Sequence, residues 1–262
     1  MENKTYKILV LSDLKDAAHS TIKSTIGLAK MIGGEIEFFH VTRPTEVVDR
    51  ESQLSAMRNI SERVMANEKK MKELLEPMLL DNDINISYNY AIGNVKNEIK
   101  KRIKASQPDV IVLGKRRPKT INLMGDKLTE FILKHHEGAV LILSKKRVID
   151  MDSQLSIGSL NNFNEALTSN FVKSLISKTK VPLKSFMIGD SSALSEDQST
   201  TIDKKVVKYV FQDGPNAINT LTGYVTKNNI SLFYVGRKNE NQKQTIYTKN
   251  LIDKVGVSLL IG

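Results

Sequence analysis

The chain has 262 residues, of which 40% are hydrophobic and 26% are charged, as is typical of a globular protein with one large domain or two modest ones. It contains no cysteine, which excludes disulfides, thiolate nucleophiles and cysteine metal sites, and which suits a cytoplasmic protein. The net charge of +10 permits anionic partners, whereas the sequence shows no nucleic-acid motif, no signal peptide and no apolar stretch near the roughly 18 residues of a membrane helix.

Strand and helix signals alternate along the first half of the chain. Short apolar runs rich in β-forming residues predict strands at 6–13, 35–41, 84–93, 109–114 and 139–144. Apolar residues at helical spacing predict helices at 17–33, roughly 51–80, 94–106 and 126–136. A stripe of methionines and leucines along the second helix predicts a face that packs against the core.

The second half repeats this order in a shorter form. It predicts strands at 154–160, 183–189, 208–214, 230–236 and 257–262, and helices at 164–179, 216–229 and 246–256. A polar stretch, 190–203, replaces the long second helix, and 93–117 matches 214–238 in pattern. Repeated βα units predict an α/β protein of two tandem open-sheet domains, 1–148 and 149–262, with mainly parallel strands and helices on both faces.

Open parallel sheets bind ligands beyond the carboxyl ends of their strands. Candidate site residues should therefore follow strands directly. Asp13 ends the first predicted strand, Val41 the second, Gly93 the third and Gly114 the fourth. The second half has no acidic residue after its first strand, only Asn161 and Asn162, so we expect no nucleotide site there.

The order of strand–Asp13, long helix, strand–His–Val41, "DVIVLG", a glycine-bearing loop, helix and "AVLILS" resembles the universal stress protein family. The resemblance is good over 5–146 and weak over 154–262, as in a tandem member with a degenerate second domain. It implies the strand order 3-2-1-4-5. It also implies an acidic residue near a nucleotide at Asp13, an adenine-pocket position at Val41, and a phosphate loop after the fourth strand.

The family's loop has the pattern G-x2-G-x9-G-[ST], which this sequence meets only in part. Gly114 matches the first glycine, and Gly125 matches the third with a spacing of 11 rather than 13. Arg117 stands at the second glycine, and Asp126 at the hydroxyl position. The resemblance therefore implies a cofactor-binding set of Asp13, Val41, Gly114, Lys115, Arg117, Gly125 and Asp126.

The substitutions in the loop act in opposite directions on phosphate binding. Arg117 cannot replace glycine's backbone freedom, but its guanidinium could donate to a phosphate, as could the neighbouring Lys115. Asp126 would put a carboxylate at the N-terminus of the following helix, where a phosphate would otherwise lie. A bridging Mg²⁺ would reconcile the two anions. We therefore expect weak or altered binding of ATP or AMP, with Mg²⁺ if it binds.

Nothing in the sequence indicates catalysis or a metal site. The four histidines lack metal-ligand spacing, and His40 is expected to be structural. We find no nucleophile motif, so we predict no catalytic residues and no enzyme activity.

Three functions remain open at this point. The first is a non-catalytic, nucleotide-responsive stress protein. The second is a nucleotide-independent interaction module, which self-associates or forms an internal pseudo-dimer by pairing Ala139–Ser144 with Val257–Gly262. The third, electrostatic binding of nucleic acid through the positive charge, is the least favoured.

Overall fold

The computed structural model describes residues 5–43, 53–79, 84–115, 124–152, 154–161, 163–164, 166–189, 204–237, 251 and 254–262. The strands are β1 Tyr6–Ser12, β2 Gly34–Thr42, β3 Ile86–Ile92, β4 Val110–Gly114, β5 Ala139–Leu143, β6 Ile157–Leu160, β7 Leu183–Ile188, β8 Val206–Phe211, β9 Leu232–Val235 and β10 Ser258–Ile261. The helices are α1 Ala18–Ile32, α2 Gln53–Leu79, α3 Val95–Ser106, α4 Met124–His135, α5 Asn170–Lys178 and α6 Ala217–Lys227.

The ten strands of the described residues belong to one sheet, with the order β3-β2-β1-β4-β5-β10-β9-β6-β7-β8. The first half has the predicted order 3-2-1-4-5, and the second half repeats it in mirror sequence. Every neighbouring pair is parallel except β5 and β10, which pair antiparallel with Leu141 opposite Leu260. The two halves are therefore related by an approximate two-fold axis through this leucine pair.

The two predicted open-sheet units are joined edge to edge. The strand β10 covers the edge of β5 within the same chain, so the two five-stranded units form a continuous sheet. Of the two alternatives for Ala139–Ser144 and Val257–Gly262, the internal pseudo-dimer is the one observed. The division at residue 148 stays a prediction.

Helices cover both faces of the sheet, as predicted. One face buries apolar side chains of α1, α2 and α5, including Ile22, Met71 and Leu175. The other face buries those of α3, α4 and α6, including Ile99 and Leu221. The core-facing stripe of α2 is confirmed at Met71 and Leu75, both of which are buried, with Leu74 and Met78 packed beside them.

The segment between the halves is fixed to α1. The Ile149 backbone N–H donates to Ser24 Oγ at 3.0 Å. At Gly27, a Cβ atom would overlap the Ile149 carbonyl oxygen, so only glycine permits this close approach. Farther along the same face, the Tyr6 hydroxyl donates to the Asn170 carbonyl at 3.0 Å. Helix α1 and strand β1 thus hold the second half through specific contacts.

Most predicted element boundaries lie within two residues of those observed. The predicted helix 164–179 is shorter, since a 3-10 turn at Ala166–Thr168 precedes α5, whose N-cap is Ser169. Helix α4 begins at Met124, two residues before its predicted start. The polar stretch 190–203 and most of the predicted helix 246–256 lie outside the described residues. Among the described residues, no helix combines the length and the hydrophobicity that a membrane span requires.

Candidate functional site at the carboxyl edge of the first half

The parallel register brings three of the predicted site residues to one edge of the sheet. Ser12 lies opposite His40 in the β1–β2 pair, and Leu11 lies opposite Leu113 in the β1–β4 pair. Three of these strand positions are followed directly by a predicted site residue: Ser12 by Asp13, His40 by Val41, and Leu113 by Gly114. Because neighbouring strands are about 4.8 Å apart, the backbones at these three positions are adjacent.

A tight turn after β1 positions Asp13. Leu14 has the left-handed φ of 55°, and its backbone N–H donates to Ser12 Oγ at 3.1 Å. The Asp13 carboxylate accepts from the Lys15 backbone N–H at 3.1 Å. Leu14 is buried while Asp13 is partly exposed, so the turn anchors an apolar side chain and presents a carboxylate at the edge.

His40 organises a polar cluster beside this turn, which the sequence did not predict as a unit. Its Nδ1 lies 2.9 Å from the Ser12 carbonyl oxygen, and its Nε2 lies 3.4 Å from Asn67 Nδ2. Asn67, on α2, also donates to Thr42 Oγ1 at 2.8 Å. His40 is 7% exposed, which agrees with a structural role. Through this cluster, α2 is coupled to the strand ends that carry the candidate site.

Gly114 has a packing reason to be glycine. A Cβ atom there would lie 2.5 Å from Thr21 Oγ1 and 3.1 Å from Ala17 Cβ. Both neighbours belong to the start of α1 or the turn before it. The absence of a side chain therefore lets α1 approach the end of β4. This packing is sufficient to explain why residue 114 is glycine, whether or not a phosphate binds nearby.

Lys115 reaches away from the first half. Its backbone N–H donates to the Leu143 carbonyl at 2.8 Å. Its Nζ donates to the Val255 carbonyl, in the second half. The Val255 N–H donates to the Leu251 carbonyl at 3.0 Å, a helical bond, so the ammonium group lies at the C-terminal end of a helical turn. A positive charge at that end is favourable.

Arg237 makes the equivalent contact in the opposite direction. It follows Gly236 as Lys115 follows Gly114, and its backbone N–H donates to the Gly262 carbonyl at 2.6 Å. Its guanidinium donates to the carbonyls of His136 and, at 2.6 Å, Gly138, at the end of α4. The two cations are related by the approximate two-fold axis. Arg237 holds the end of α4, and Lys115 holds the carbonyl of Val255, whose N–H closes a helical turn.

The remaining predicted site residues belong to the loop and to α4. Gly125 and Asp126 lie in the first turn of α4, because that helix begins at Met124, rather than in the loop before it. Arg117 lies outside the described residues. Their part in a phosphate site stays a prediction.

The corresponding edge of the second half is built differently. Asn161 follows β6 with a left-handed φ of 64°, and its carbonyl accepts from Ser185 Oγ. Its backbone N–H donates to the Phe186 carbonyl at 2.7 Å. Both backbone groups of Asn161 are therefore engaged by β7. By strand register, Asn161 corresponds to Ser12, and the counterpart of Asp13 lies outside the described residues.

His136 is buried beneath the Arg237 anchor, with 5% exposure. Burial lowers the pKa of His136 to about 4, and the nearby Arg237 charge acts in the same direction. A backbone hydrogen bond with Ala139 and the charge of Asp109 oppose this shift. The imidazole is thus neutral at pH 7, so it does not add a second charge beside the guanidinium.

The sequence from residue 5 to residue 144 matches the model of the universal stress protein family. This match spans more than half of the chain. The chain belongs to the universal stress protein family. The resemblance read from Asp13, Val41 and the loop after β4 is thereby confirmed at the level of the family.

Solved structures with the same fold cover nearly the whole chain. A universal stress protein from Archaeoglobus fulgidus DSM 4304 is 16% identical, with a TM-score of 0.68 and coverage of 99% of this chain and 96% of that chain. A functionally unknown protein from Pseudomonas aeruginosa PAO1 is 12% identical, with a TM-score of 0.60 and coverage of 99% and 92%. The cytoplasmic domain of a prokaryotic cation chloride cotransporter is 15% identical, with a TM-score of 0.50 and coverage of 98% and 95%. At these identities the likeness shows the fold alone. No curated protein matches the chain.

Proposed function

We propose that this universal stress protein is a non-catalytic, cytoplasmic stress-response protein whose first half binds an adenine nucleotide weakly at the carboxyl edge of β1, β2 and β4. The observation that carries the proposal is the adjacency of Asp13, Val41 and Gly114 at that edge. A carboxylate suits ribose hydroxyls as an acceptor, and the partly buried Val41 offers an apolar surface to a base.

Lys115 has a different part in this proposal from the one its sequence position indicates. Its ammonium group is engaged by the Val255 carbonyl, so it supplies little of the phosphate affinity. The loop then has fewer cations to offset the Asp126 carboxylate. This explains why we propose weak binding, and why Mg²⁺ should strengthen it.

Isothermal titration with ATP, ADP and AMP, with and without Mg²⁺, tests the proposal. We expect saturable heat with ATP and a loss of affinity of about fivefold or more in Asp13→Asn, because a hydrogen bond to a charged group is lost. Asp16→Asn is the matched control, since Asp16 is exposed and its ion pair with Lys145 is long, at 3.9 Å. Absence of heat and of any thermal shift at millimolar nucleotide would overturn the proposal.

Two further variants separate the parts of the loop. Asp126→Ser should strengthen ATP binding, because it removes a carboxylate from the first turn of α4. Lys115→Met should leave ATP affinity within about twofold, whereas a phosphate-binding lysine would lose about tenfold or more. A large loss in Lys115→Met would show that this side chain leaves Val255 when nucleotide binds.

The second candidate is a nucleotide-independent interaction module. The observation that favours it is the pair of anchors at Lys115 and Arg237, which hold the two halves together; Lys115 opens the candidate phosphate loop of the first half, and Arg237 is its counterpart in the second. Protein purified without added ligand distinguishes the two candidates. An absorbance ratio showing copurified nucleotide supports the first, and nucleotide-free protein that also fails to bind ATP supports the second.

A further inference from the structure

A cleft of about 640 Å³ opens in the second half at the amino ends of β6, β7, β8 and β9. Its volume lies within the range of small-molecule sites, roughly 300–1,000 Å³. Its lining includes the polar residues Arg147, Lys184, Asn229 and Ser231 and the apolar residues Val181 and Val207.

This cleft is separate from the nucleotide edge of the first half. Because the halves run in opposite directions, both lie along the same border of the continuous sheet. Strands β4, β5, β10 and β9 stand between β1 and β6. Five strand spacings amount to roughly 24 Å, which is too far for one small ligand to occupy both places.

The charge of the cleft is positive. Its described lining residues include Arg147 and Lys184 and no aspartate or glutamate. The matching cleft of the first half, of about 230 Å³, is lined by Glu35 and Glu37 with Lys7. The Ile36 N–H donates to the Asn85 carbonyl, and the Leu183 N–H donates to the Lys205 carbonyl in the same way. Ile36 and Leu183 are therefore equivalent, and so are the residues that follow them, Glu37 and Lys184. The two halves therefore differ in charge at equivalent places.

The cations are held in place but retain donors. Arg147 Nη2 donates to Asn229 Oδ1 at 2.7 Å, and Nη1 donates to the Ile230 carbonyl at 3.3 Å. Lys184 Nζ donates to the Asn228 carbonyl at 3.3 Å. A guanidinium carries five donor hydrogens and an ammonium three, so these bonds orient both groups without exhausting them. Asn229, with a left-handed φ of 54°, is fixed in the same turn.

We propose that this cleft is a binding site for a small organic anion with an apolar body. The anionic group, a carboxylate or a phosphate, accepts from Arg147 and Lys184. The apolar body packs against Val181 and Val207. A charged hydrogen bond in a partly enclosed cleft favours the anion over a neutral analogue of the same shape.

Titrations of the full chain with benzoate, phenyl phosphate and neutral benzyl alcohol, followed by amide chemical shifts, test this site. We expect saturable shifts centred on Ser156, Asn229 and Ser231, tighter binding of the two anions than of benzyl alcohol, and no displacement by ATP. Comparing benzoate with phenyl phosphate tells which anionic group the site prefers. The comparison of benzyl alcohol with the two anions uses the unmodified protein, so it does not depend on the stability of any variant.

Arg147→Gln and Lys184→Gln should each weaken anion binding about tenfold, which corresponds to about 1.4 kcal/mol. Lys208→Gln is the matched control, because it removes one charge from an exposed position of β8 in the same half. The proposal fails if no shift saturates by about 10 mM anion. It also fails if benzyl alcohol binds as well as benzoate, or if all three variants bind equally.

Discussion

Lys115 and Arg237 occupy equivalent positions in the two halves, and each donates to the equivalent backbone carbonyl of the other half, Val255 and His136 respectively. Both follow a strand-ending glycine, and both lie at the C-terminal end of a helical segment. The contacts are thus related by the same axis that passes between Leu141 and Leu260. This reciprocity indicates that the internal pseudo-dimer is stabilised outside the sheet as well as within it.

Removing the Arg237 anchor should destabilise the whole chain. Arg237→Met deprives the carbonyls of His136 and Gly138 of a charged donor, and we expect a loss of about 2 kcal/mol or more in the free energy of unfolding. Lys115→Met removes one such bond and should cost about 1 kcal/mol. Urea unfolding measures both. The control Lys208→Met, at an exposed position, should change stability by about 0.5 kcal/mol or less.

Equal effects of Arg237→Met and Lys208→Met would show that the anchor contributes nothing to stability. Arg237→Lys is the intermediate case. It keeps the charge but loses the fork that engages two carbonyls, so its stability should fall between those of the parent and the methionine variant.

The buried His136 predicts a particular pH dependence. Its pKa is about 4 in the folded chain and 6.5 when unfolded, so the unfolded state binds more protons between these values. Stability contributed by the neutral imidazole is therefore complete above pH 6.5 and is lost as the pH falls toward 4, by at most about 3 kcal/mol. His136→Leu should flatten this dependence. Unfolding free energies measured from about pH 7 to about pH 4 for both proteins would show it.

The comparison between the two proteins isolates His136, because acid titration of the carboxylates is common to both. Parallel curves over this pH range would mean that the imidazole is protonated as readily in the fold as outside it. A curve that falls more steeply in the parent protein than in His136→Leu supports a buried neutral histidine under the Arg237 guanidinium.

We predict that Gly114 is required for close packing of the fold even when no ligand is bound. In Gly114→Ala, the new Cβ would lie 2.5 Å from Thr21 Oγ1, so we expect a loss of about 1–3 kcal/mol in stability even without nucleotide. Thr21→Ala removes that oxygen and should recover part of the loss in the double variant. A double-mutant cycle by thermal or urea unfolding measures the coupling.

Gly223→Ala is the matched control for this glycine. Gly223 lies in α6, and among the described residues no heavy atom outside the local backbone of that helix lies within 4 Å of the position that a Cβ atom would take, so alanine should stabilise the chain by about 0.5–1 kcal/mol. If Gly114→Ala were equally harmless, α1 would have to shift freely against β4, contrary to the close packing at Thr21.

The elements of the fold were predictable because each follows from local periodicity. Strand β4 is a continuous apolar run covered on both faces, and α3 shows Ile99 and Ile103 on its buried side after the N-cap Asn94. The merging of the two sheets was one of two predicted alternatives. Sequence could not choose between them, because β5 and β10 can pair equally well within one chain or between two.

The adjacency of the strand-end residues in the candidate site was also predictable, but the contact made by Lys115 was not. Asp13, Val41 and Gly114 lie together because they end neighbouring strands, whereas the direction of the Lys115 side chain depends on the Val255 carbonyl, 140 residues away in the chain. One sequence signal could have revealed the contact between Lys115 and the second half. The internal repeat aligns Gly114–Lys115 with Gly236–Arg237, so a cation follows the glycine in both halves, including the half without a predicted nucleotide site.

The pairing of β5 with β10 makes a last prediction about assembly. The segment 1–148 expressed alone would expose the edge of Ala139–Leu143, an apolar strand whose five residues are all buried in the full chain. We expect this segment to form dimers or larger species, with two β5 strands pairing antiparallel in place of β5 and β10. Light scattering measures the mass, and the full chain, in which β10 covers the same edge, is the matched control and should be monomeric. A folded, monomeric 1–148 segment would mean that β5 tolerates an open edge, and the internal pseudo-dimer would then rest mainly on the anchors at Lys115 and Arg237.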